Sequence, residues 1–410
     1  MRLRMVSALW ATFLLPVPAL AGQDPADDFV VHGTINIALG NGNGLVVLTD
    51  SMVTEMHPEG ARQRPEPGQK LFKLDDRTVC AIAGFASAPA RSAQATSPPV
   101  AIPDLNTNAS AIIHEYVRQS ALQSRQSIAE KLRALASLFK MHLAMIANVR
   151  DAAGNPTPID AYRFQLIVAG YDIDDKPKIG RIALQMKNYN GDFLSEVEDA
   201  SISDVAERLI WKSNGMPDIA TQILLHPESR PRDEVFGAYA TSFRDNRGRS
   251  LTVKQMVELA KKLAYCTSKV HPEVGGPNQV AVFTKLQPVS IDQPTFPEPP
   301  RPLFRFSLVV DSHFSYSSVV FAKGSPAVFV RCVWVGMQHE LTGHYYIGSE
   351  FTNSVLVYDG GIVNLGDTNR VTNSVLVIGP HAKPDEETVR RLRKAFAWSQ
   401  VLYAVQKVTP

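Results

Sequence analysis

One short stretch constrains the fold more than any other. Residues 34–50 read Thr-Ile-Asn-Ile-Ala-Leu-Gly-Asn-Gly-Asn-Gly-Leu-Val-Val-Leu-Thr-Asp, two apolar runs around a Gly/Asn turn. Asn41, Gly42, Asn43 and Gly44 accept the positive φ angles that a tight hairpin demands, so a strand pair is predicted here. A second pair is predicted at 70–74 and 77–84, joined at Asp75-Asp76. Between the pairs, residues 54–69 are rich in Pro, Gly and Arg and read as a loop. Residues 22–33 carry Asp24, Asp27 and Asp28 and read as a propeptide or flexible lead-in.

Helices come next. After an Ala/Ser/Pro-rich loop at 87–105, Asn106 or Asn108 is placed to cap a helix with Ile112, Ile113, Tyr116 and Val117 on one face. A second helix starts near Ser127, with Glu130 completing a capping box, and carries Leu132, Leu135, Leu138, Phe139, Leu143 and Ile146. Strands are predicted at 163–170, 178–186 and 279–284, and helices at 202–225 and 252–267. Helices grouped between strand pairs imply layered sheets and helices rather than alternating βαβ units.

Pro294, Pro297, Pro299, Pro300 and Pro302 mark a stiff linker. Beyond it, Thr-Asn-Ser-Val-Leu-Val occurs at 352–357 and again at 372–377, twenty residues later. That rhythm, shared by β-rich segments near 329–335 and 343–348, suggests coils of a β-helix. Residues 384–405 carry Val389, Leu392, Phe396, Ser399, Leu402 and Tyr403 near one helical face, and a helix covering the open end of the stack is predicted.

Composition excludes several classes. A net charge of +2 over 410 residues, with no Lys/Arg run, gives no nucleic-acid footprint. Arg2 and Arg4 precede an apolar run from Met5 to Leu20, and Ala19-Leu20-Ala21 supplies a cleavage site, so a secretory signal cut after Ala21 is expected. The run is short of a membrane span, and no other stretch is apolar enough for one. Periplasmic or secreted localisation follows from that expectation. The three cysteines, Cys80, Cys266 and Cys332, leave at least one thiol free and lack zinc-site spacing. His339-Glu-Leu-Thr-Gly-His344 has one residue too many for a helical zinc-protease motif. Neither a metal nor a cofactor is expected.

The chemistry-bearing residues surround Thr34. A threonine hydroxyl needs a base within hydrogen-bond reach. A free α-amine titrates near neutrality, at about 7.7 to 8.0, and can serve if Thr34 becomes the first residue. Gly33 gives Thr34 latitude to attack its own preceding carbonyl. A buried Lys70, held charged by Asp50, would lower the hydroxyl's pKa, and the Gly84 N–H could hold the oxyanion. On spacing alone the plainer reading is favoured: a strand threonine, a turn aspartate and a solvated lysine.

The same stretch resembles the proteasome β-subunits, which are N-terminal-nucleophile (Ntn) hydrolases. Thr34 follows a glycine, and Asp50 lies sixteen positions on. Gly68-Gln69-Lys70-Leu71-Phe72-Lys73-Leu74-Asp75 matches the family's lysine segment, and Ala81-Ile82-Ala83-Gly84 its glycine segment, fourteen residues past the lysine. Phe164 to Asp172 is similar to its central strand, and 252–267 with Gly275-Gly276-Pro277 to its C-terminal end. The resemblance implies a four-layer αββα sandwich of α+β class, with Thr34, Asp50, Lys70 and Gly84 catalytic and Gly33 the processing residue. It also implies a first specificity pocket lined by Val53, Ile82 and Ala86, hence an apolar acyl-side residue in a peptide or amide substrate, and it allows a homo-oligomer. The family's Asp and Ser before the glycine are replaced by His271-Pro272-Glu273-Val274, and its Gly-Ser-Gly turn corresponds loosely to Ser213-Asn214-Gly215.

The expected organisation is a signal at 1–21, a lead-in at 22–33, an Ntn-type domain at 34–288, a linker at 289–302 and a β-rich module with a terminal helix at 303–410. The expected function is an exported amidohydrolase or peptidase, autocleaved at Gly33-Thr34. The alternatives are a catalytically inactive proteasome-like domain serving assembly, with the C-terminal module as interaction surface, and a secreted binding protein whose repeat module carries the function.

Overall fold

A computed structural model describes residues 29–32, 34–57, 60–63, 66–88, 107–121, 125–147, 164–189, 192–205, 208–225, 248–285, 287–299, 307–315, 327–359, 363–365, 368–380, 382, 392 and 400–403. The signal segment, Gly33 and the 89–105 part of the expected loop lie outside these residues. The fold is mixed α/β and mostly sheet.

Eight strands come first: β1 Phe29–His32, β2 Ile35–Asn41, β3 Gly44–Thr49, β4 Thr54–His57, β5 Gly60–Gln63, β6 Leu71–Asp75, β7 Thr78–Ala88 and β8 Thr107–Asn108. Helices α1 Ala109–Ser120 and α2 Ile128–Ala147 follow, then β9 Phe164–Tyr171, β10 Pro177–Tyr189, β11 Asp192–Asp204 and β12 Ile210–Gly215. Helices α3 Asp218–Leu225 and α4 Val253–Val270 precede β13 Gln279–Thr284 and β14 Gln287–Asp292.

These strands form two sheets. A nine-stranded sheet runs β11-β10-β9-β7-β1-β4-β5, with β6 and β8 also paired to β7, and a five-stranded sheet runs β12-β2-β3-β13-β14. Strand alternation decides what each face buries. Ala38, Val47 and Ala281 of the smaller sheet meet Val79, Ala81 and Ile167 of the larger in one cluster. Their neighbours point away: Ile35, Ile37 and Leu48 pack on Met256, Leu259 and Leu263 of α4. Cys80, Leu166 and Val168 pack on Leu135 and Leu138 of α2. Asn108 caps α1 through Ser110 and Ala111 N–H, and Ser127 and Glu130 exchange capping bonds of 2.9 and 3.2 Å.

Four segments of this part depart from expectation. Residues 54–63 form the β4–β5 hairpin rather than a loop, because β1 gives β4 a partner. The last residues of the expected lead-in are that β1 strand. The expected 202–225 helix is instead β11, β12 and α3. Ile210–Gly215 pairs with Ile35–Gly40 of β2, and that remote pairing overrides the local helical spacing. Finally, β14 extends past residue 288 into the segment read as linker.

The C-terminal strands are β15 Ser307–Val310, β16 His313–Ser315, β17 Ala327–Val330, β18 Val333–Val335, β19 Gln338–Glu340, β20 His344–Ile347, β21 Glu350–Thr352, β22 Val355–Tyr358, β23 Asn364–Leu365, β24 Arg370–Thr372, β25 Val375–Ile378 and β26 Gln400–Tyr403. They form three four-stranded sheets, β15-β17-β20-β23, β16-β18-β21-β24 and β19-β22-β25-β26, and every pairing is parallel. The repeated hexapeptide stacks on itself, with Val355 opposite Val375 and Ser354 N–H donating to Ser374 Oγ at 3.1 Å. Asn353 and Asn373 turn the corners at φ 51° and 47°, a conformation asparagine tolerates. The expected terminal helix fails at 400–403, which form β26: Val401 and Tyr403 lie opposite Leu376 and Ile378, so sheet pairing wins over helical spacing there. Leu392 is helical and buried.

The two parts share a core. Leu308, Val328, Val330, Tyr345 and Ile347 join the cluster built on α1 and α2. Arg331 pairs with Glu130, and Leu308 N–H donates to Gln119 Oε1 at 2.9 Å. Among the described residues, no helix is long and apolar enough to cross a membrane.

Candidate active site

Strand β3 ends at Thr49, and the chain leaves the ladder at Asp50. Asp50 is buried, so its carboxylate must find donors inside the protein. Four converge on it. Oδ1 accepts from Ile35 N–H and from Lys70 Nζ, both at 3.1 Å. Oδ2 accepts from Gly275 N–H at 3.0 Å and Met52 N–H at 3.3 Å. Burial raises the carboxyl's pKa, against the lowering pull of the Lys70 charge and of the Gly275 and Ile35 N–H groups. Burial lowers Lys70 to about 8, against the opposing pull of Asp50. The solvated reading of Lys70 is therefore excluded by its burial.

Thr34 lies immediately before β2 and is also fully buried. Its carbonyl accepts the Met216 N–H at 2.7 Å. Gly215, at φ 82°, crosses so close that a Cβ there would lie 1.8 Å from the Thr34 oxygen. Gly215 N–H in turn donates to Gln165 Oε1 at 2.8 Å. Among the described residues the Thr34 hydroxyl has no hydrogen-bond partner, an uncommon state for a buried oxygen. One Asp50 oxygen binds both Lys70 and the amide following Thr34, which brings the ammonium to the Thr34–Ile35 peptide. Thr34, Asp50 and Lys70 are thus brought together.

Gly84 lies in β7 at φ 92°, opposite Phe164 of β9 on one side and His32 of β1 on the other. Strand β1 runs antiparallel to both β4 and β7, with Val31 opposite Thr54 and Phe85. Of the three expected pocket residues, two have described side chains. Val53 is buried just after Asp50. Ile82 packs with Phe72 beneath α1 and α2, whereas its neighbour Ala83 lies at Gly215. Ala86 is skipped by the β1–β7 register, which passes from Phe85 to Ser87, and its side chain lies outside the described residues.

Several residues at the site were not singled out from the sequence. Gln165 orients Gly215, and Gln279 binds the segment around Lys70. Asn36 Nδ2 donates to Asn214 Oδ1 at 2.6 Å. The signal available was a polar residue inside otherwise apolar strands, as in Phe164-Gln165-Leu166 and Gln279-Val280-Ala281. Gly275 O accepts Ser51 and Met52 N–H at 3.1 and 3.0 Å.

Among the described residues, no group of three or more His, Cys, Asp or Glu could hold a metal. His339 and His344 lie inside the C-terminal aromatic core, with rings 5.7 Å apart.

No family model matches the chain, and no curated protein matches it. Two solved structures are similar at 12% identity and a TM-score of 0.33: Anbu, an ancestral beta-subunit, from Yersinia bercovieri, and an Anbu (Gly-1) mutant from Hyphomicrobium sp. strain MC1. The first match covers 62% of this chain and 82% of the other, and the second 63% and 86%. Likenesses at this level carry no inference about the site.

Proposed function

We propose that the chain is an exported Ntn-type amidohydrolase that frees Thr34 by cleaving its own Gly33–Thr34 bond. The two stacked sheets with helices on their outer faces are then the αββα sandwich of that class, and the three parallel sheets a three-faced β-helix. The Arg2/Arg4 signal pattern supports export.

The observation that carries the reading is the position of β1. It ends at His32, opposite Gly84, and Thr34 lies beside the Asp50–Lys70 pair. On this reading the Gly84 N–H is the oxyanion donor and the Thr34 hydroxyl the nucleophile for the bond that is cut. In the first step the Thr34 hydroxyl attacks the Gly33 carbonyl carbon, its proton passing to the departing Thr34 nitrogen, while the Lys70 ammonium, held by Asp50, stabilises the developing alkoxide. The Thr34 nitrogen leaves as the amine, giving an ester that water hydrolyses to a Gly33 carboxylate and a free hydroxyl. The new α-amine is then the base for later turnover. Loss of β1 opens a gap one strand wide between β4 and β7. An extended peptide fills such a gap by backbone pairing, which favours a peptide substrate.

A second reading keeps the fold and drops the chemistry. It is favoured by the replacement of the family's supporting Asp and Ser at His271–Val274.

The test is an electrophile that requires both the hydroxyl and the α-amine of an N-terminal threonine. One covalent adduct on Thr34 and loss of peptide turnover are expected. Mature protein that remains unlabelled would leave the second reading.

A further inference from the structure

We propose that Gln279 is a positioning residue for Lys70, acting through the backbone of the segment that carries it; this rests on the reading of Lys70 and Asp50 as part of a reaction centre.

Lys70 precedes β6, so the ladder does not supply all its backbone partners. One side is held by β7, where Ile82 N–H donates to Lys70 O at 3.0 Å. On the other side, among the described residues, lies the Gln279 side chain. Gln279 Oε1 accepts both Lys70 N–H and Leu71 N–H at 3.0 Å, and its Nε2 donates to Gly68 O at 2.6 Å. All three groups come from one turn of chain, and Gln279 is fully buried. A primary amide fits this set because it offers an acceptor with two lone pairs and a donor at once. Neither a carboxylate nor an ammonium does.

The anchor point matters as much as the bonds. Gln279 lies opposite Thr49 in the β13–β3 pairing, one residue before Asp50. The same strand approach brings Gly275 N–H to Asp50 Oδ2. Gln279 therefore ties the segment carrying the ammonium to the strand end carrying the carboxylate. The 3.1 Å Lys70–Asp50 contact depends on that tie.

The experiment compares wild type with Gln279→Met, which keeps bulk and removes all three hydrogen bonds. Thr267→Val is the control. It deletes a buried hydroxyl bonded only to its own helix at Leu263 O, 2.9 Å away. Three quantities are read: exchange of the Lys70 and Leu71 amides, the Lys70 titration followed by the Cε chemical shift, and the kcat–KM split for peptide turnover. In Gln279→Met both amides should exchange faster and the Lys70 midpoint should move. The kcat should fall about tenfold, the worth of one hydrogen bond, with KM little changed. Thr267→Val should leave the midpoint and kcat in place. Unchanged exchange, or faster exchange with an unmoved midpoint, would overturn the proposal. An inactive wild type would sink the hydrolase reading alone, since exchange and titration still decide the role of Gln279.

Discussion

Lys70 Nζ lies 3.1 Å from Asp50 Oδ1, and the two side chains are 0% and 2% exposed. A pair this buried is costly to break and contributes little as a net stabiliser, because both ions have lost their water. Lys70→Met or Asp50→Asn alone should destabilise the fold by about 3–5 kcal/mol, since each leaves the other group buried without its partner. The double variant should lose less than the sum of the singles. Chemical denaturation of the four proteins measures the coupling.

The same burial sets a pH dependence. The Lys70 pKa is lowered from 10.5 to about 8 by desolvation. The unfolded chain therefore binds more protons than the folded one between those values, so this group makes stability rise with pH across that window. Activity should run the other way. If the ammonium is needed at Thr34, turnover falls as pH rises through about 8, and Lys70→Met removes that alkaline limb along with the activity. A pH–rate profile measures it.

Much of this arrangement was legible because it is local. The Gly/Asn turn forms with Asn41 opposite Gly44. The Asn108 cap and the Ser127–Glu130 box lie within a few residues of their partners. What was not legible depends on remote pairing. The Trp211–Gly215 stretch has helical spacing but finds β2 more than 170 residues earlier, as in Asn214 with Asn36, |i−j| 178. The β4–β5 hairpin joins the large sheet through β1, which pairs with β4. Gln165 and Gln279 meet their partners across 50 and 209 residues, a relation no spacing rule reaches.

Gly215 offers a steric test. A Cβ at that position would meet the Thr34 carbonyl oxygen at 1.8 Å, on a backbone at φ 82°. Gly215→Ala must push β2 and β12 apart, and a loss above about 2 kcal/mol is expected from overpacking and strain together. Thermal unfolding measures the loss. Turnover should fall further than stability alone explains, because the Met216–Thr34 bond moves too.

The C-terminal module should be acid-labile. Burial lowers His339 to about 3 and His344 to about 4, from 6.5. Folded-state values below the unfolded one mean that the unfolded chain takes up protons first as pH falls below 6.5. Stability is therefore lost over that range, with a slope approaching about two protons at its steepest. Trp334 stacks on His339 with ring centroids 4.1 Å apart, so its fluorescence reports the transition. Replacing both histidines with phenylalanine should flatten the curve.

The central claim is that Thr34 is freed from Gly33. Intact mass and N-terminal sequencing of the purified protein measure this directly, with Thr34→Ala alongside. The wild-type chain should begin at Thr34, and the variant should keep the residues before it. A wild-type chain that still carries Gly33, or a Thr34→Ala chain cut at the same bond, would contradict the account.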